Sequence, residues 1–428
     1  MSLQSSAKQT ITNIFVRQMR HIIKVHKPKV VAVVGSVGKT STKLAIATIL
    51  SEGFRVQVQH GNYNTPISVP FIFLGRPLPS LNNPFAWLGA WIAAKKMIHG
   101  QFPYDVVVIE LGTDTPGEIL AFQDIVQPDI AVLTAVSDEH MEYFGTLDAV
   151  AKEELSISEF SKFLIINADD VDAAFIARYL KKDAPHVTYG LHDTDYVYAV
   201  QQTATGHKIS VQVPNGLNVN GLVELIAAHS IKAVVAAVAV ADKLGMLPEV
   251  TQTGLGKITA PAGRMQILRG IKNSTIIDDS YNASPLAVAA ALETLYAKEA
   301  PQRIALLGMM NELGETSQAS HEAIGRLCDM HKLDVLVTLG KDANDYIAPI
   351  AEANGCTVLR AKSPYEAGSM IADNLKDGGL VLVKGSQNGV FSEEAIKSLL
   401  ADPSDVTLLV RQNDVWLAKK RAQFADAV

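Results

Sequence analysis

A glycine-rich turn joins a valine run to a helical pattern near the start of the chain. Val30–Val34 is followed by Gly35-Ser-Val-Gly-Lys-Thr40 and by the helical pattern Lys39–Leu50. Backbone amides in such a turn bind phosphate oxygens, while lysine reaches the β/γ-phosphates and threonine binds Mg²⁺. The full phosphate-loop pattern has glycine at position 33, where this chain has Val33. The strand–turn–helix context still predicts a nucleotide site formed by Gly35, Ser36, Gly38, Lys39, Thr40 and Ser41.

Two further polar residues follow strand-like runs. Glu110 directly ends the run Val106–Ile109, and His140 lies six residues after Thr134. Active-site crevices of α/β sheets form at the carboxyl ends of parallel strands, and carboxylate oxygens are preferred Mg²⁺ ligands. A lone glutamate or histidine at such a position is often a structural hydrogen-bonding group. Because both accompany a phosphate loop, we predict that Thr40, Glu110 and His140 bind Mg²⁺.

Short apolar runs alternate with helical patterns along the chain. Runs that are apolar throughout predict parallel strands buried on both faces and linked by helical crossovers. We therefore predict an α/β protein, with a phosphate-loop ATPase domain on a mostly parallel sheet and a C-terminal Rossmann-like domain. The predicted strands are Val30–Val34, Val106–Ile109, Ile130–Thr134, Phe163–Ile166, Thr275–Ile277, Ile304–Leu307, Val335–Leu339 and Leu380–Val383.

Two interruptions indicate the domain organisation. A polar stretch, Gln201–Asn220, breaks the strand–helix rhythm and precedes a long helix from about Ile226 to Leu244. Proline and glycine in Thr259-Ala-Pro-Ala-Gly-Arg264 then break any regular element. We predict a basic amphipathic helix over 1–30, a central ATP-binding domain over 31–258 and a ligase-type second domain over 259–428.

Composition limits the partners and the compartment. The 428 residues include 38 Lys/Arg and 44 Asp/Glu, a net charge of −6, which argues against a nucleic-acid partner. Two cysteines, Cys328 and Cys356, are too few for a disulfide framework. The first residues lack a secretory pattern and no segment reaches the length of a membrane span, so we expect a cytoplasmic protein.

Two amphipathic segments leave a second interpretation open. Residues 1–30 carry six Lys/Arg and no acidic residue, and residues 83–98 contain two of the three tryptophans together with Lys95 and Lys96. Helices packed on the first domain are the simpler interpretation. Aromatic residues and lysines on a helix are also typical of weak contact with a membrane surface.

Eight segments occur in the order seen in one family. The chain resembles the Mur ligases from about residue 29 to its end, and the segments that begin at Asp278 and Gly308 together favour the branch that adds D-alanyl-D-alanine. The segments are Gly35-Ser-Val-Gly-Lys-Thr40, Gly61-Asn-Tyr-Asn-Thr-Pro66, Glu110-Leu-Gly-Thr, Pro128-Asp-Ile-Ala-Val-Leu-Thr134, His140-Met-Glu-Tyr-Phe-Gly145, Asp278-Asp-Ser-Tyr-Asn-Ala-Ser-Pro285, Gly308-Met-Met-Asn-Glu-Leu-Gly-Glu315 and Lys384-Gly-Ser386.

The resemblance implies an ATP-dependent amide ligase of cell-wall precursor synthesis. In such ligases ATP phosphorylates a carboxylate donor, and an amino acid or a dipeptide such as D-Ala-D-Ala attacks the acyl phosphate. The resemblance implies catalytic roles for Lys39, His140 and Lys384. It also implies that Arg264, Asp279 and Asn282 bind the nucleotide from the second domain.

Two features depart from the family pattern. Family members of this branch have an N-terminal domain that holds the UDP part of a UDP-muramoyl peptide, and few residues precede Gly35 here. The family also has a carbamylated lysine that binds metal. Alignment from Gly145 without a gap puts Glu154 at that position, whereas Lys152 requires a shift of two residues. Glu154 is thus a candidate Mg²⁺ ligand, or a solvated helix residue like Glu153.

Two other functions stay open at this level. A Mur-like ligase for a polyglutamate, cyanophycin or folate-type product needs no UDP-binding domain. A nucleotide-dependent binding subunit would keep the phosphate loop without the chemistry, and the presence of Lys39, Glu110, His140 and Lys384 argues against it.

Overall fold

The computed structural model describes residues 3–59, 65–80, 83–203 and 206–425, without the side chains of 3–7 and 228. Most of the predicted segment Gly61–Pro66 therefore lies outside the described residues. The chain divides into two compact units. The first comprises Met1–Ser137, Thr146–Glu224 and Ser230–Thr259, and the second comprises Asp138–Gly145, Leu225–His229 and Ala260–Val428.

Fifteen strands and sixteen α-helices are assigned in the described part of the chain. The strands are β1 (Lys29–Val34), β2 (Val56–Val58), β3 (Val106–Glu110), β4 (Ile130–Leu133), β5 (Leu164–Asn167), β6 (His186–Gly190), β7 (Tyr196–Gln202), β8 (His207–Gln212), β9 (Asn218–Val223), β10 (Gln266–Arg269), β11 (Thr275–Asp279), β12 (Arg303–Gly308), β13 (Val335–Leu339), β14 (Val358–Ala361) and β15 (Leu380–Lys384). The helices are α1 (Leu3–His26), α2 (Lys39–Leu50), α3 (Val69–Phe73), α4 (Pro84–His99), α5 (Glu118–Ala121), α6 (Met141–Phe144), α7 (Leu147–Leu155), α8 (Ala173–Tyr179), α9 (Ile231–Lys243), α10 (Pro248–Leu255), α11 (Pro285–Tyr296), α12 (Ser317–Leu327), α13 (Ala348–Ala353), α14 (Pro364–Asn374), α15 (Glu393–Ile396) and α16 (Asp414–Gln423).

The first unit is built on a nine-stranded sheet in the order β2-β3-β1-β4-β5-β6-β7-β8-β9. Its strands are parallel from β2 to β7, as the continuous apolar runs predict. Strand β1 lies between β3 and β4, so Val30–Val34 is buried on both faces. Val33 pairs with Glu110 and is still part of β1, so the turn begins only at Gly35. This explains why valine replaces the first glycine of the phosphate-loop pattern.

The polar stretch Gln201–Asn220, which breaks the strand–helix rhythm, forms strands that were not predicted from the sequence. It contributes to β7, β8 and β9, which pair antiparallel and extend the sheet. Burial alternates along β8, where His207, Ile209 and Val211 are buried, whereas Lys208 and Gln212 are exposed. Polar residues are compatible with strands that are covered on one face only, and that alternation was overlooked.

Helices α1 and α4 pack against each other in the first unit. The rings of Phe15, Phe71 and Trp87 form one cluster, with centroids 4.8 to 5.5 Å apart. The Trp87 indole N–H donates to the Ser80 carbonyl oxygen at 3.0 Å. In the described part of the chain, no helix is both long and apolar enough to cross a membrane.

The second unit has a six-stranded sheet in the order β10-β11-β15-β12-β13-β14. Only β10 is antiparallel to its neighbour. Strands β11 and β15 are adjacent, with Asp279 opposite Lys384 at their carboxyl ends. Asp138–Gly145 also belongs to this unit, although the predicted central domain 31–258 includes it. The reason is local, because the Glu142 amide donates to the Glu312 carbonyl oxygen at 3.2 Å.

The aromatic cluster predicts unequal roles for the two tryptophans of α4. Trp87→Ala removes a buried ring and should lower the free energy of unfolding by about 3 kcal/mol or more. Trp91 is 41% exposed, so Trp91→Ala should change it by less than about 0.5 kcal/mol. Urea denaturation followed by circular dichroism measures both. Equal losses in the two variants would contradict this account of how α4 is held.

Candidate functional site

The phosphate loop is a four-residue turn, Gly35–Gly38, between β1 and α2. Gly35 has φ 124° and Gly38 has φ 87°, values that side chains other than glycine rarely adopt. A Cβ atom on Gly35 would lie 2.3 Å from Thr134 Oγ1 and 2.9 Å from the Ala135 amide nitrogen. The close approach of β1 to the end of β4 therefore requires glycine at this position.

Neighbouring groups satisfy the polar atoms of the loop. Thr134 Oγ1 lies 2.6 Å from the Val37 carbonyl oxygen, and the Ser36 amide donates to the Ala135 carbonyl at 2.9 Å. The Ser36 hydroxyl oxygen accepts the Ser137 amide at 3.1 Å. These contacts fix the loop's shape while α2 presents its first turn, which contains Lys39, Thr40 and Ser41.

Lys39 lies across the loop. Its Nζ donates to the carbonyl oxygens of Gly35 at 2.5 Å and Ser36 at 3.1 Å. An ammonium group at the N-terminus of α2 adds positive charge where the helix dipole is also positive. The loop is therefore suited to an anion, as the sequence predicts.

Glu110 is held beside the start of α2. One of its oxygens, Oε2, accepts from Thr40 Oγ1 at 3.0 Å and from Lys43 Nζ at 3.0 Å. The Glu110 amide donates to the side-chain oxygen of Gln59 at 2.7 Å. The structure thus brings together two of the predicted metal ligands, Thr40 and Glu110. Lys43 was not predicted from the sequence, although its position one helical turn after Lys39 was a usable signal.

Glu154 faces the phosphate loop from α7. It is 2% exposed, and its Oε2 accepts the Gly35 amide at 2.8 Å. Glu153 is also buried, and it accepts the amides of Gly117 and Ile119 at 2.7 Å each. The interpretation of both as solvated residues was wrong, whereas Lys152 is exposed.

The oxygens beside α2 fit a magnesium ion. Mg²⁺ typically uses one or two protein oxygen ligands together with phosphate oxygens, and the Thr40 hydroxyl and Glu110 carboxylate supply such a pair. No cluster of three or more His, Cys, Asp or Glu suited to a metal occurs among the described residues. His140, the third predicted ligand, belongs to the second unit.

In the second unit, Lys384 is buried at the end of β15. Its Nζ donates to Asp279 Oδ2 at 2.6 Å and to the Asn282 carbonyl oxygen at 2.9 Å. Asp278 turns the other way, and its Oδ1 accepts the Ser280 amide at 3.0 Å. Burial raises the pKa of Asp278 to about 6. The structure therefore places Lys384, Asp279 and Asn282 together, as the resemblance implies.

Arginines hold the segment that follows Asp279. Arg411 Nη2 donates to the Ser280 carbonyl at 2.7 Å, and Arg411 Nη1 donates to the Tyr281 carbonyl at 2.9 Å. Arg264 lies over the Tyr281 ring, 4.2 Å from its centroid. With Lys384 on the Asn282 carbonyl, three successive carbonyl groups each accept from a cationic side chain. Arg411 was not predicted from the sequence, because it lies 130 residues from Tyr281.

A buried ionic network fixes Arg411 itself. Its guanidinium donates to both oxygens of Glu393, at 2.8 and 2.6 Å. Lys420 Nζ contacts Glu393 at 2.8 Å and Glu394 at 2.7 Å, and donates to the Arg411 carbonyl at 2.9 Å. All four ionic side chains are nearly inaccessible to water. Helix α16 is thereby connected to the Ser280–Asn282 segment.

His140 lies in a pocket of the second unit. Its Nδ1 is 2.6 Å from Glu312 Oε2, and this hydrogen bond lowers the pKa of Glu312. Both residues have a left-handed backbone, with φ 52° and 64°, which is unusual for residues with a side chain. The pocket is lined by Asp138, Glu139, His140, Asn282, Ala283, Ser284, Asn311, Glu312, Leu313 and Gln387.

The Glu154 contact predicts a graded response to substitution. Glu154→Ala leaves the Gly35 amide without its carboxylate, so we expect the free energy of unfolding to fall by about 1–3 kcal/mol and nucleotide affinity to fall with it. Glu154→Gln keeps a hydrogen-bond acceptor and should lose less. Urea denaturation and calorimetric titration with ATP measure the two effects.

Lys152→Ala is the matched control for Glu154, because it changes an exposed residue of the same helix. It should leave both quantities unchanged. If Glu154 also binds metal, Glu154→Gln raises the Mg²⁺ concentration needed for half-maximal ATP binding, and bicarbonate depletion has no effect. A carbamate on Lys152, or a loss in Lys152→Ala equal to that in Glu154→Ala, would refute this role.

The buried network predicts a large penalty when Arg411 alone is removed. Arg411→Met leaves Glu393 short of one cation and should lower the free energy of unfolding by about 3–5 kcal/mol. The double variant Arg411→Met/Glu393→Met removes the unpaired charge and should recover part of that loss. Arg421→Met, on the exposed side of α16, is the control. A loss below about 1 kcal/mol in Arg411→Met would contradict this prediction.

Known proteins resemble the chain in sequence and in fold. The Mur ligase middle domain matches residues 89–241, and the Mur ligase glutamate ligase domain matches residues 263–387. The UDP-N-acetylmuramoyl-tripeptide–D-alanyl-D-alanine ligase of Escherichia coli is 28% identical over 389 residues, which cover 87% of this chain and 76% of that ligase. The Bacillus subtilis ligase of the same name is 25% identical over 378 residues, covering 88% of this chain and 76% of that ligase.

A solved structure agrees with these sequence matches. The MurF ligase from Thermotoga maritima in complex with ADP superposes with a TM-score of 0.72 at 22% identity, covering 90% of this chain and 84% of that one. The fold is thus shared, and the two family domains together span most of this chain. The phosphate loop of the first unit and the domain matches lead to one conclusion: the chain belongs to the Mur ligase family and is an ATP-dependent ligase.

Proposed function

We propose that the chain joins D-alanyl-D-alanine to the carboxylate of a UDP-muramoyl peptide in cell-wall precursor synthesis. The names of its relatives support this pair of substrates. The observation that carries the ligase assignment is the contact of Glu110 with Thr40 directly after the glycine turn. That arrangement places a carboxylate and a hydroxyl at the helix N-terminus where phosphates bind.

The proposed reaction has two steps. A donor carboxylate oxygen attacks the γ-phosphorus of ATP, so an acyl phosphate forms and ADP leaves. The amino nitrogen of the acceptor then attacks the acyl carbon, the C–O bond to phosphate breaks, and the nitrogen loses its extra proton. Phosphorylation is required because a free carboxylate repels nucleophiles and has no good leaving group. The protein contributes mainly alignment and charge stabilisation.

In the first unit, the residues of the loop bind and neutralise the triphosphate. The N–H groups at the start of α2 and the Lys39 ammonium bind phosphate oxygens. Thr40 and Glu110 would hold Mg²⁺, which when bound neutralises phosphate charge. Lys43 holds the Glu110 carboxylate in place through its 3.0 Å contact. Glu154 holds the Gly35 amide and with it the loop.

In the second unit, we assign Lys384, Asp279 and Asn282 to the nucleotide and the transferring phosphoryl group. Lys384 is held by Asp279, so its ammonium has a fixed position before any ligand binds. The Arg264–Tyr281 stack presents a flat surface, which suits a nucleotide base.

The pocket around His140 suits the acceptor's amino group. An incoming amine is an ammonium ion in water, and Asp138, Glu139 and Glu312 give the pocket negative charge. His140 lies against Glu312 and is a suitable group to take the proton that the ammonium must lose before its nitrogen attacks the acyl carbon. We place this reaction in a reducing cytoplasm, consistent with the two buried free thiols, Cys328 and Cys356.

The test is ATP turnover with defined substrates. Phosphate release should require both a UDP-muramoyl tripeptide and D-Ala-D-Ala, and mass spectrometry should detect the joined product. L-glutamate with a folate or polyglutamate donor tests the alternative ligase function. If phosphate is released only with L-glutamate and a folate or polyglutamate donor, these substrates replace the proposed pair. If ATP binds but no substrate combination releases phosphate, the chain is a nucleotide-dependent binding subunit instead of a ligase.

Lys39→Ala supplies the control for that assay. The substitution removes the positive charge that contacts the β/γ-phosphates. ATP turnover should therefore fall by about a thousandfold while the circular dichroism spectrum stays unchanged. Lys29→Ala removes an exposed lysine at the opposite end of β1 from the loop and should have little effect. Turnover in Lys39→Ala within about tenfold of the unmodified chain would refute the phosphate-loop assignment.

A further inference from the structure

The charge of the chain is distributed very unevenly. Residues 1–104 contain twelve Lys/Arg and a single acidic residue, Glu52, whereas the remaining residues contain 26 Lys/Arg and 43 Asp/Glu. The net charge of −6 therefore averages a strongly cationic N-terminal quarter with an anionic remainder. Charges more than about 10 Å apart across water are largely screened at physiological salt. A partner that touches this N-terminal part meets its local positive charge.

Helix α4 lies in this cationic part and has two different faces. Trp87, Ala90, Ala94 and Ile98 are buried, at spacings of three and four residues. On the opposite face, Phe85 is 83% exposed, Leu88 55% and Ile92 42%. Trp91 borders this face and is 41% exposed. An apolar face of this kind next to water is uncommon in a protein that has no partner there.

Cations adjoin the exposed apolar face. Lys95 and Lys96 follow one turn later on α4, and both are exposed. The Lys95 ammonium lies 5.6 Å from the centre of the Trp91 ring. Helix α1, which packs on α4, exposes Arg17 and Lys24. Exposed aromatic and aliphatic residues next to lysines match the pattern of helices that lie in a membrane interface.

We propose that the exposed face of α4, formed by Phe85, Leu88, Trp91, Ile92, Lys95 and Lys96, docks on an anionic lipid membrane. Phe85, Leu88 and Ile92 enter the acyl boundary, and the two lysines contact lipid phosphates. A second copy of the chain is a poorer occupant, because a two-fold contact would bring the same cations together. Docking does not depend on the ligase reaction, and the substituted residues lie outside the phosphate loop.

The experiment is sedimentation of the full chain with vesicles of phosphatidylcholine, with and without phosphatidylglycerol. We expect sedimentation and a blue shift of tryptophan fluorescence only with phosphatidylglycerol. Trp91→Phe should remove the blue shift and keep most of the sedimentation. For the unmodified chain, sedimentation without a blue shift would mean purely electrostatic adsorption and would overturn insertion of the apolar face.

Paired variants separate the two contributions. Phe85→Ser/Ile92→Ser should weaken binding at least about tenfold. Lys95→Gln/Lys96→Gln should weaken it about thirtyfold, the effect of two surface lysines. The matched controls, Leu247→Ser/Val415→Ser and Lys182→Gln/Lys376→Gln, change exposed residues elsewhere and should bind like the unmodified chain.

Three further results would overturn the proposal. The first is no sedimentation of the unmodified chain with phosphatidylglycerol vesicles. The second is equal weakening in the controls. The third is a concentration-dependent dimer that Phe85→Ser/Ile92→Ser abolishes, measured by analytical ultracentrifugation, since a second copy would then cover the face. ATP hydrolysis should be the same in all four double variants, so failure of docking is distinguishable from failure of the ligase assignment.

Discussion

When the amides at the start of α2 bind phosphate, they must stay accessible, so the other polar groups of the preceding loop, its first two amides included, need partners from elsewhere. The structure meets this constraint around Gly35. Thr134 and Ala135, directly after β4, form hydrogen bonds with the loop on one side. On the other side the Glu154 carboxylate accepts a hydrogen bond from the Gly35 amide. This close packing leaves no space for a Cβ atom. The parallel order β3-β1-β4 is what delivers these groups to one edge of the sheet.

In the second unit, carbonyl groups rather than amides need hydrogen-bond partners. Its Ser280–Asn282 segment has carbonyl groups to satisfy, and cations provide the hydrogen bonds. Cations buried for this purpose need carboxylates, which explains the presence of Asp279 beside Lys384 and of Glu393 beside Arg411. Buried ion pairs contribute little net stability compared with apolar packing, but losing one partner is costly. Their value here lies in fixing one conformation of a short segment.

The sequence predicted those parts of the site that depend on neighbours along the chain. The turn at Gly35, the helix starting at Lys39 and the strand ending at Glu110 follow from local patterns, and they appear where expected. Arg411 and Lys43 were missed for different reasons. Arg411 acts on Tyr281 across 130 residues, which no local pattern encodes. Lys43 lies one helical turn after Lys39, so a local pattern could have indicated its place beside the loop. It was missed because a lysine on a helix is usually a solvated residue.

The same limit applies to the fold. Strands buried on both faces were predicted because their apolar runs are continuous, whereas β7–β9 were missed because only one face of them is buried. Burial of a charged residue is harder still to predict. Glu153 and Glu154 look like surface residues of α7, and only the tertiary structure shows that each accepts backbone amides. Hydrogen bonds from backbone amides compensate for the burial of such a carboxylate, so these glutamates lie in the interior although the sequence shows no apolar pattern there.

Helix geometry turns this adjacent pair into a mechanical connection. Successive residues of a helix point about 100° apart, so Glu153 and Glu154 reach different parts of the first unit. Glu154 holds Gly35 in the phosphate loop, and Glu153 holds the start of α5 through Gly117 and Ile119. The chain leading to α5 begins at the end of β3, where Glu110 contacts Thr40. Helix α7 therefore ties the loop that binds phosphate to the segment that follows its carboxylate partner. Any shift of Gly35 on ligand binding must move α7 or break a buried hydrogen bond. This coupling keeps the position of the phosphate loop fixed relative to the segment that follows Glu110.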